Sequence, residues 1–175
     1  MSIVTKRGDS GETDLLFGKR AAKSSQLFKA MGAVDELNAA LGLVRVQEIP
    51  ADARSVIDAV QEKLVGLMGE LATLPEDTER YAEAGYPRVG IEDVARLETA
   101  AKETEAALDV RFKEWARPGK DASVGSAHLD MARTICRRAE RELWALESAT
   151  QESRLYLNRL SDVLWIFARA ENVGL

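Results

Sequence analysis

Four arginines that lie close together in the sequence could bind a polyphosphate. Arg133, Arg137 and Arg141 are spaced four residues apart, so on a helix they lie along one face. Arg138 lies beside them, and Glu140 follows Arg137 by three residues, which makes the two helical neighbours. Guanidinium groups this close repel one another unless anions or carboxylates lie near them. The cluster therefore indicates either a small anionic ligand or ion pairs to a neighbouring helix.

A second polar stripe follows on the next predicted helix. Asn158, Asp162, Trp165 and Arg169 recur there at helical spacing, opposite an apolar stripe. If the two polar stripes face each other, ion pairing between the helices explains both without any ligand. The residues alone leave the structural and the ligand-binding interpretations open.

The N-terminal segment also suits phosphate oxygens. Residues 5–13 combine glycines and hydroxyl side chains with the cations Lys6 and Arg7. Backbone amides that glycines leave accessible, together with Lys and Arg donors, can surround a polyphosphate. A Walker-type loop over residues 11–20 is rejected, because the glycine spacing is wrong and Arg20 replaces the Ser or Thr. The alternative interpretation is an unstructured basic tail.

Histidine and cysteine are too scarce for most metal and nucleophile chemistry. His128 and Cys136 are the only residues of their types. A di-iron bundle needs paired Glu-x-x-His motifs, and a tetrahedral zinc site needs more Cys and His ligands than this. We therefore predict no metal site formed by the protein, and His128 is interpreted as a surface or capping residue. No Ser/His/Asp or Cys/His nucleophile system is evident.

Composition excludes several classes of protein. The 175 residues are 46% hydrophobic and 30% charged, the balance of a globular domain. A net charge of -5 argues against nucleic-acid binding, which needs a basic face, and the apolar runs are too short to cross a bilayer. A single cysteine fits a reducing compartment. We expect a cytoplasmic protein with no nucleic-acid or membrane partner.

Apolar residues at alternating steps of three and four predict five helices that would position these side chains. The first inward positions of the five helices are Leu27, Val56, Val94, Ala132 and Leu157. Residues 1–25 show no period and are predicted to form a glycine-rich N-terminal loop, the proposed nucleotide-binding part. The sequence predicts an all-α protein, with a five-helix up-and-down bundle over residues 26–175 and one domain over residues 1–175.

Three blocks of the sequence resemble the PduO-type cobalamin adenosyltransferases and together span nearly the whole chain. The first block runs from Thr5 through Lys23, and the second from Gly32 to Gly42. The third joins the arginine-rich residues 132–141 to residues 156–169. The blocks occur in the order typical of the family on a chain of the right length, which makes the resemblance specific.

The resemblance implies a helical bundle assembled as a homotrimer, with active sites between neighbouring subunits. It implies transfer of the 5′-deoxyadenosyl group of ATP to cob(I)alamin, giving adenosylcobalamin and triphosphate, with Mg2+ bridging the phosphates. Cob(II)alamin, a reductase and an adenosylcobalamin-dependent enzyme are further implied partners. The alternative is a non-catalytic trimeric paralogue that binds ATP or carries adenosylcobalamin.

The resemblance also assigns roles to individual residues. Arg137 and Lys23 are implied as catalytic residues that stabilise charge on the leaving triphosphate. Asp35 and Arg133 are implied to form a salt bridge across the subunit boundary. The positions implied to bind ATP are Thr5, Lys6, Arg7, Gly8, Thr13, Asp14, Lys23, Arg137, Arg138, Glu140, Arg141 and Asn158.

The corrinoid side of the site rests on one aromatic residue. The family's Phe-x-x-Pro-Gly-Gly segment has its counterpart here in residues 115–120, with Trp115 in place of the Phe. Trp115 is expected either to present its ring to the corrinoid or to pack in the core, which is the commoner role of tryptophan.

Overall fold

The structure is a computed structural model that describes residues 4–108, 117–120 and 122–172. Its helices are α1 Gln26–Arg45, α2 Ala51–Leu71, α3 Thr78–Glu83, α4 Ile91–Leu108, α5 Val124–Trp144 and α6 Gln151–Asn172. A small antiparallel pair precedes them, formed by β1 Glu12–Asp14 and β2 Arg20–Ala22. None of the described helices combines the length and apolarity that a bilayer span requires.

The predicted helical class is confirmed, but the predicted count of five helices is not. The part of the chain that the structure describes contains six α-helices, because α3 forms within the polar connection of residues 75–90. Six residues are too few for a periodic apolar pattern to stand out. A single buried side chain, Tyr81, anchors α3, and its hydroxyl donates to the carbonyl oxygen of Pro87 at 2.9 Å.

The prediction of an N-terminal loop without regular structure also needs correction. Residues 12–14 pair with residues 20–22, so the segment folds into a β-hairpin. Strands of three residues are too short to show alternation in the sequence. The hairpin places the side chains of residues 12–14 beside those of residues 20–22, which are separate in the sequence.

The long helices form because each has one continuous apolar face. α1 packs against α2 and α5, and α6 packs against α5 and α4. Leu37, Leu64 and Leu157 are among the fully buried side chains where these helices meet. Each such side chain contributes about 1.5–3 kcal/mol through removal of apolar surface from water. This packing fixes the rotation of α5 and α6, and therefore which polar residues face each other.

A side-chain cap fixes where α5 begins. The hydroxyl of Ser123 accepts a hydrogen bond from the backbone N–H of Ser126 at 2.9 Å, which satisfies one of the free N–H groups of the first turn. The hydroxyl of Ser126 in turn donates to the carbonyl oxygen of Ala168 on α6 at 2.8 Å. These bonds set the register in which the arginines of α5 meet α6.

Candidate functional site

The N-terminal hairpin turns through two residues with left-handed backbone. Phe17 and Gly18 have φ values of 57° and 75°, and the backbone N–H of Leu15 donates to the carbonyl oxygen of Lys19 at 2.8 Å. Glycine adopts a positive φ without steric cost, whereas Phe17 does so under strain. The turn sets the register in which Asp14 lies opposite Arg20.

Contacts to residues 72–80, which follow α2 and extend into α3, hold the hairpin in place. The backbone N–H of Leu16 donates to the carbonyl oxygen of Ala72 at 3.0 Å, directly after α2. Lys19 Nζ lies 3.2 Å from a carboxylate oxygen of Glu76, and the guanidinium of Arg80 lies 4.3 Å from the centroid of the Phe17 ring. The strained Phe17 backbone therefore places its ring under a cation at the point of attachment.

The hairpin gathers several residues that the sequence assigns to nucleotide binding. One carboxylate oxygen of Asp14 receives Arg7 Nη2 at 3.1 Å and Arg20 Nη1 at 2.7 Å. Lys23 Nζ donates to the carbonyl oxygen of Gly8 at 2.7 Å. Each of these three cations is therefore bound to an oxygen atom of the same chain. Arg20 is missing from the predicted set of ATP-binding residues, because only the strand register shows that it reaches Asp14.

Thr5, Lys6 and Thr13 are close in sequence to this cluster. The backbone N–H of Arg7 lies 3.5 Å from the hydroxyl of Thr5, and Lys6 has a positive φ of 58°. Thr13 is half-buried within β1 and pairs with Ala21.

On α5, three of the four arginines are engaged within the chain. Arg133 Nε donates to Asp130 at 3.3 Å, and Arg141 Nη1 donates to the carbonyl oxygen of Arg137 at 3.0 Å. Arg138 forms an ion pair with Glu36 of α1. The side chain of Arg137 is exposed, and within the described residues no hydrogen bond or ion pair holds its guanidinium group. Arg137 is therefore available to an incoming anion.

The polar stripes of α5 and α6 meet beside Arg137. Asn158 Nδ2 donates to Glu140 Oε1 at 3.1 Å, and Asn158 Oδ1 accepts from Arg159 Nη1 at 2.8 Å. Arg159 Nε also donates to Glu98 of α4 at 2.8 Å, which lowers the pKa of the Glu98 carboxyl. The structure thus brings Glu140 and Asn158 together, as facing stripes would require. Glu98 and Arg159 were not identified from the sequence.

Asp162 lies on the same stripe, in an electrostatic environment of mixed sign. Partial burial raises the pKa of its carboxyl, and the negative charge of Glu140 acts in the same direction. Arg159 and Arg137 oppose that shift. Arg137 thus lies at the border between cations on α5 and carboxylates on both helices.

Farther along the α5–α6 contact, an ion pair is buried. Arg169 Nη1 lies 3.0 Å from Asp130 Oδ2, and Arg169 Nη2 lies 3.0 Å from Asp130 Oδ1. Both residues are buried, and the guanidinium carbon of Arg169 lies 5.2 Å from the centroid of the Trp165 ring. Asp130 also receives Arg133, so it orients that arginine from within α5.

Some predicted partners do not meet within one copy of the chain. Among the described residues, no hydrogen bond or ion pair joins Lys23 to Arg137. Asp35 is exposed and pairs with no described residue, while Arg133 is paired with Asp130. Trp115 lies outside the described residues. The roles assigned to these side chains therefore stay predictions.

The described residues also bear on metal and nucleophile chemistry. No group of His, Cys, Asp and Glu among residues 4–108, 117–120 and 122–172 is arranged to hold a metal ion. Cys136 is fully buried and donates to the carbonyl oxygen of Leu157 at 3.2 Å, and burial raises the pKa of its thiol far above the ordinary value. His128 is half-buried within α5, whose cap is Ser123. Cys136 is thus a packing residue rather than a thiolate nucleophile.

Comparison with known proteins gives consistent matches over nearly the whole chain. Residues 3–171 match the family described as cobalamin adenosyltransferase. A cobalamin adenosyltransferase of Cupriavidus metallidurans is 39% identical, with 97% of this chain and 88% of that protein covered. The corrinoid adenosyltransferase PduO of Salmonella typhimurium is 34% identical over 98% of this chain, which spans 50% of that longer protein.

A solved structure has a similar fold over nearly the whole chain. It is a variant of a PduO-type ATP:corrinoid adenosyltransferase from Lactobacillus reuteri, complexed with cobalamin and ATP. The TM-score is 0.85 at 29% identity, and the match covers 98% of this chain and 91% of that one.

Proposed function

The chain belongs to the cobalamin adenosyltransferase family, and from that membership we propose that it transfers the 5′-deoxyadenosyl group of ATP to cob(I)alamin. The similar Lactobacillus reuteri protein is complexed with both substrates, cobalamin and ATP. Within this chain, the observation that carries the proposal is the exposed guanidinium of Arg137, which has no hydrogen bond or ion pair to any described residue. An exposed arginine on the same helix as Glu140, whose carboxylate binds Asn158 at 3.1 Å, suits a phosphate group.

The proposed reaction requires no covalent bond between the protein and a substrate. The electron pair of Co(I) in the cobalamin substrate attacks C5′ of ATP, the C5′–O bond breaks, and triphosphate leaves with the bonding electrons. Cob(I)alamin is itself the nucleophile, and Cys136 is not required for that role, since it is buried and burial raises the pKa of its thiol. The protein has to hold C5′ close to cobalt and stabilise the charge that develops on triphosphate.

Arg137 and Lys23 are the cations we assign to that electrostatic role. Arg137 projects from α5, and its guanidinium has no partner to give up among the described residues, so it is available to the charge that develops on the leaving triphosphate. Lys23 is close to the glycine-containing segment, whose amides can bind further phosphate oxygens. Mg2+ is proposed to reach the site bound to the phosphates of ATP and to water, because it retains such ligands readily.

A second copy of the chain is proposed to complete the site. Among the described residues, no hydrogen bond or ion pair joins Lys23 to Arg137, and Asp35 is exposed without a described partner. In a homotrimer of up-and-down bundles, the hairpin of one subunit would cover α5 of its neighbour, and Asp35 would pair with Arg133 across the boundary. Trp115 is proposed to lie on the corrinoid side.

The test is adenosylation of chemically reduced cobalamin by the purified protein with ATP and Mg2+, followed through the absorbance change on formation of adenosylcobalamin. We expect product from the unaltered chain. We expect Arg137→Ala to reduce kcat about 100-fold, the usual effect of removing one charge-stabilising donor. Arg96→Ala is the matched control, because Arg96 is an exposed arginine on α4 whose partner is Asp93.

Two outcomes would contradict the proposal. A fully active Arg137→Ala protein would remove the assigned role. ATP binding by the unaltered chain with no product from reduced cobalamin would favour the non-catalytic paralogue. Measuring the assembled mass at the same time tests the trimer, and an active monomer would contradict the shared site.

A further inference from the structure

The side-chain amide of Asn158 is held between a group that can only donate and a group that can only accept. Its Oδ1 receives Arg159 Nη1 at 2.8 Å, and its Nδ2 donates to Glu140 Oε1 at 3.1 Å. A guanidinium has no acceptor, and an ionised carboxylate has no donor. Rotation of the amide by 180° would place its NH2 against Arg159 and its oxygen against Glu140. The orientation of Asn158 is therefore fixed by chemistry on both sides.

Arg159 is itself fixed by a third helix. Its Nε donates to Glu98 Oε1 of α4 at 2.8 Å, while its Nη1 holds Asn158 on α6. Both side chains of this ion pair are only partly exposed. The chain of contacts Glu98–Arg159–Asn158–Glu140 thus runs from α4 through α6 to α5.

The charges around Asn158 indicate which part of a nucleotide would bind there. Glu140, Glu98 and Asp162 surround this end of the site, and partial burial together with Glu140 raises the pKa of the Asp162 carboxyl. A triphosphate would be repelled by these carboxylates and attracted by Arg137, whose guanidinium has no partner among the described residues. The Asn158 end of the site therefore suits the uncharged part of ATP, the nucleoside.

We propose that Arg159 is a positioning residue that locks Asn158 to read the 6-amino group of adenine, so that the protein discriminates against 6-oxopurines. The inference rests on the proposed function, since it concerns the nucleotide site. Among the described residues, one N–H and one oxygen lone pair of the locked amide have no partner, and this donor and acceptor match the adjacent acceptor and donor of adenine. Inosine replaces the amino donor with a carbonyl acceptor, and only an amide free to rotate could adapt to it.

The test compares ATP, ITP and 2′-deoxyATP as ligands and as substrates of the assembled protein. Calorimetric Kd values and kcat/KM are measured for the unaltered chain, Arg159→Met and Arg159→Lys. We expect the ATP/ITP ratio to fall about tenfold in Arg159→Met, the scale of discrimination by one good amide–base pair. Arg159→Lys should recover part of the ratio, because an ammonium can still donate to Asn158 Oδ1. Arg96→Met, which removes an exposed arginine outside this chain of contacts, should leave the ratio unchanged.

Each contrary outcome identifies a different error. An unchanged ATP/ITP ratio in a folded Arg159→Met protein would overturn the inference, and a change in the ATP/2′-deoxyATP ratio instead would assign Asn158 to the ribose. Should Arg159→Met fail to fold, Glu98→Met removes the acceptor of Arg159 Nε and loosens the same guanidinium, and an unchanged ATP/ITP ratio there would equally overturn the inference. If the unaltered chain binds ATP but transfers no adenosyl group, the proposed function is wrong. The inference about Arg159 can still be tested in that case, because the ratio of the Kd values for ATP and ITP does not require turnover. A chain that binds no nucleotide would end both.

Discussion

The buried ion pair between α5 and α6 leads to a quantitative prediction. The side chains of Asp130 and Arg169 are 4% and 9% exposed, and two nitrogens of Arg169 reach the carboxylate at 3.0 Å. We expect Arg169→Met to lower the free energy of unfolding by about 3 kcal/mol. Methionine fills much of the space, but it leaves the Asp130 carboxylate buried with Arg133 Nε, at 3.3 Å, as its remaining partner.

The size of the effect follows from what remains after the substitution. Removal of one partner from a buried ion pair costs about 3–5 kcal/mol, because the other charge stays desolvated. Arg133 compensates part of that cost, which places Arg169→Met at the lower end. Asp130→Leu should cost a similar amount, since it leaves the Arg169 guanidinium uncompensated. The double variant exchanges both charges for apolar groups and should lie within about 1 kcal/mol of the unaltered chain.

The assay is urea unfolding of the four proteins, followed by helical circular dichroism. Arg96→Met serves as the control, because Arg96 is 78% exposed and its ion pair with Asp93 should contribute only about 0.5 kcal/mol. Single substitutions that each cost less than about 1 kcal/mol, or costs that simply add in the double variant, would refute the reasoning.

Two further predictions concern titrating groups. Burial opposes ionisation of Asp93, but a backbone N–H three residues earlier and Lys63 outweigh it and lower its pKa. Because the folded pKa lies below the ordinary value of about 4, the ionised carboxyl stabilises the fold above that value, and this stability is lost as pH falls through the folded pKa. The Asp93→Asn protein should therefore lose less stability in acid than the unaltered chain. Urea midpoints of the two proteins that change in parallel from pH ~2 to ~6 would contradict this. Cys136, buried and with a raised pKa, should react with a thiol reagent only on unfolding, and rapid labelling of the native protein would show the packing to be wrong.

The long helices were predictable because their signals are repeated many times. Val34, Leu37 and Leu41 recur at steps of three and four, and all three are fully buried in α1. The short helix α3 depends on one buried ring, that of Tyr81, and on the hydrogen bond from its hydroxyl to Pro87. A tertiary contact of this kind leaves no periodic trace in the sequence.

The candidate site was predictable in its residue types but not in all of its pairings. Glu140 and Asn158 share stripes that were expected to face each other, and they do so at 3.1 Å. The partner of Arg159 is Glu98, 61 residues earlier and on a different helix, so no local spacing could identify it. The ion pair of Arg138 with Glu36 likewise depends on how α1 lies beside α5.

The contacts of the cations divide the proposed nucleotide site into two parts with different energetics. On α5 and α6, the amide of Asn158 is already oriented, and the guanidinium of Arg137 has no bond to give up among the described residues. In and beside the hairpin, Asp14 holds Arg7 and the carbonyl oxygen of Gly8 holds Lys23, so a phosphate has to replace those oxygens. Exposed contacts of this type contribute about 0–1 kcal/mol each, so the exchange costs little in comparison with the charge of a triphosphate. Nucleotide binding at such a site therefore needs an exchange of contacts around the hairpin, whereas Arg137 and Asn158 on the helices keep the contacts they have.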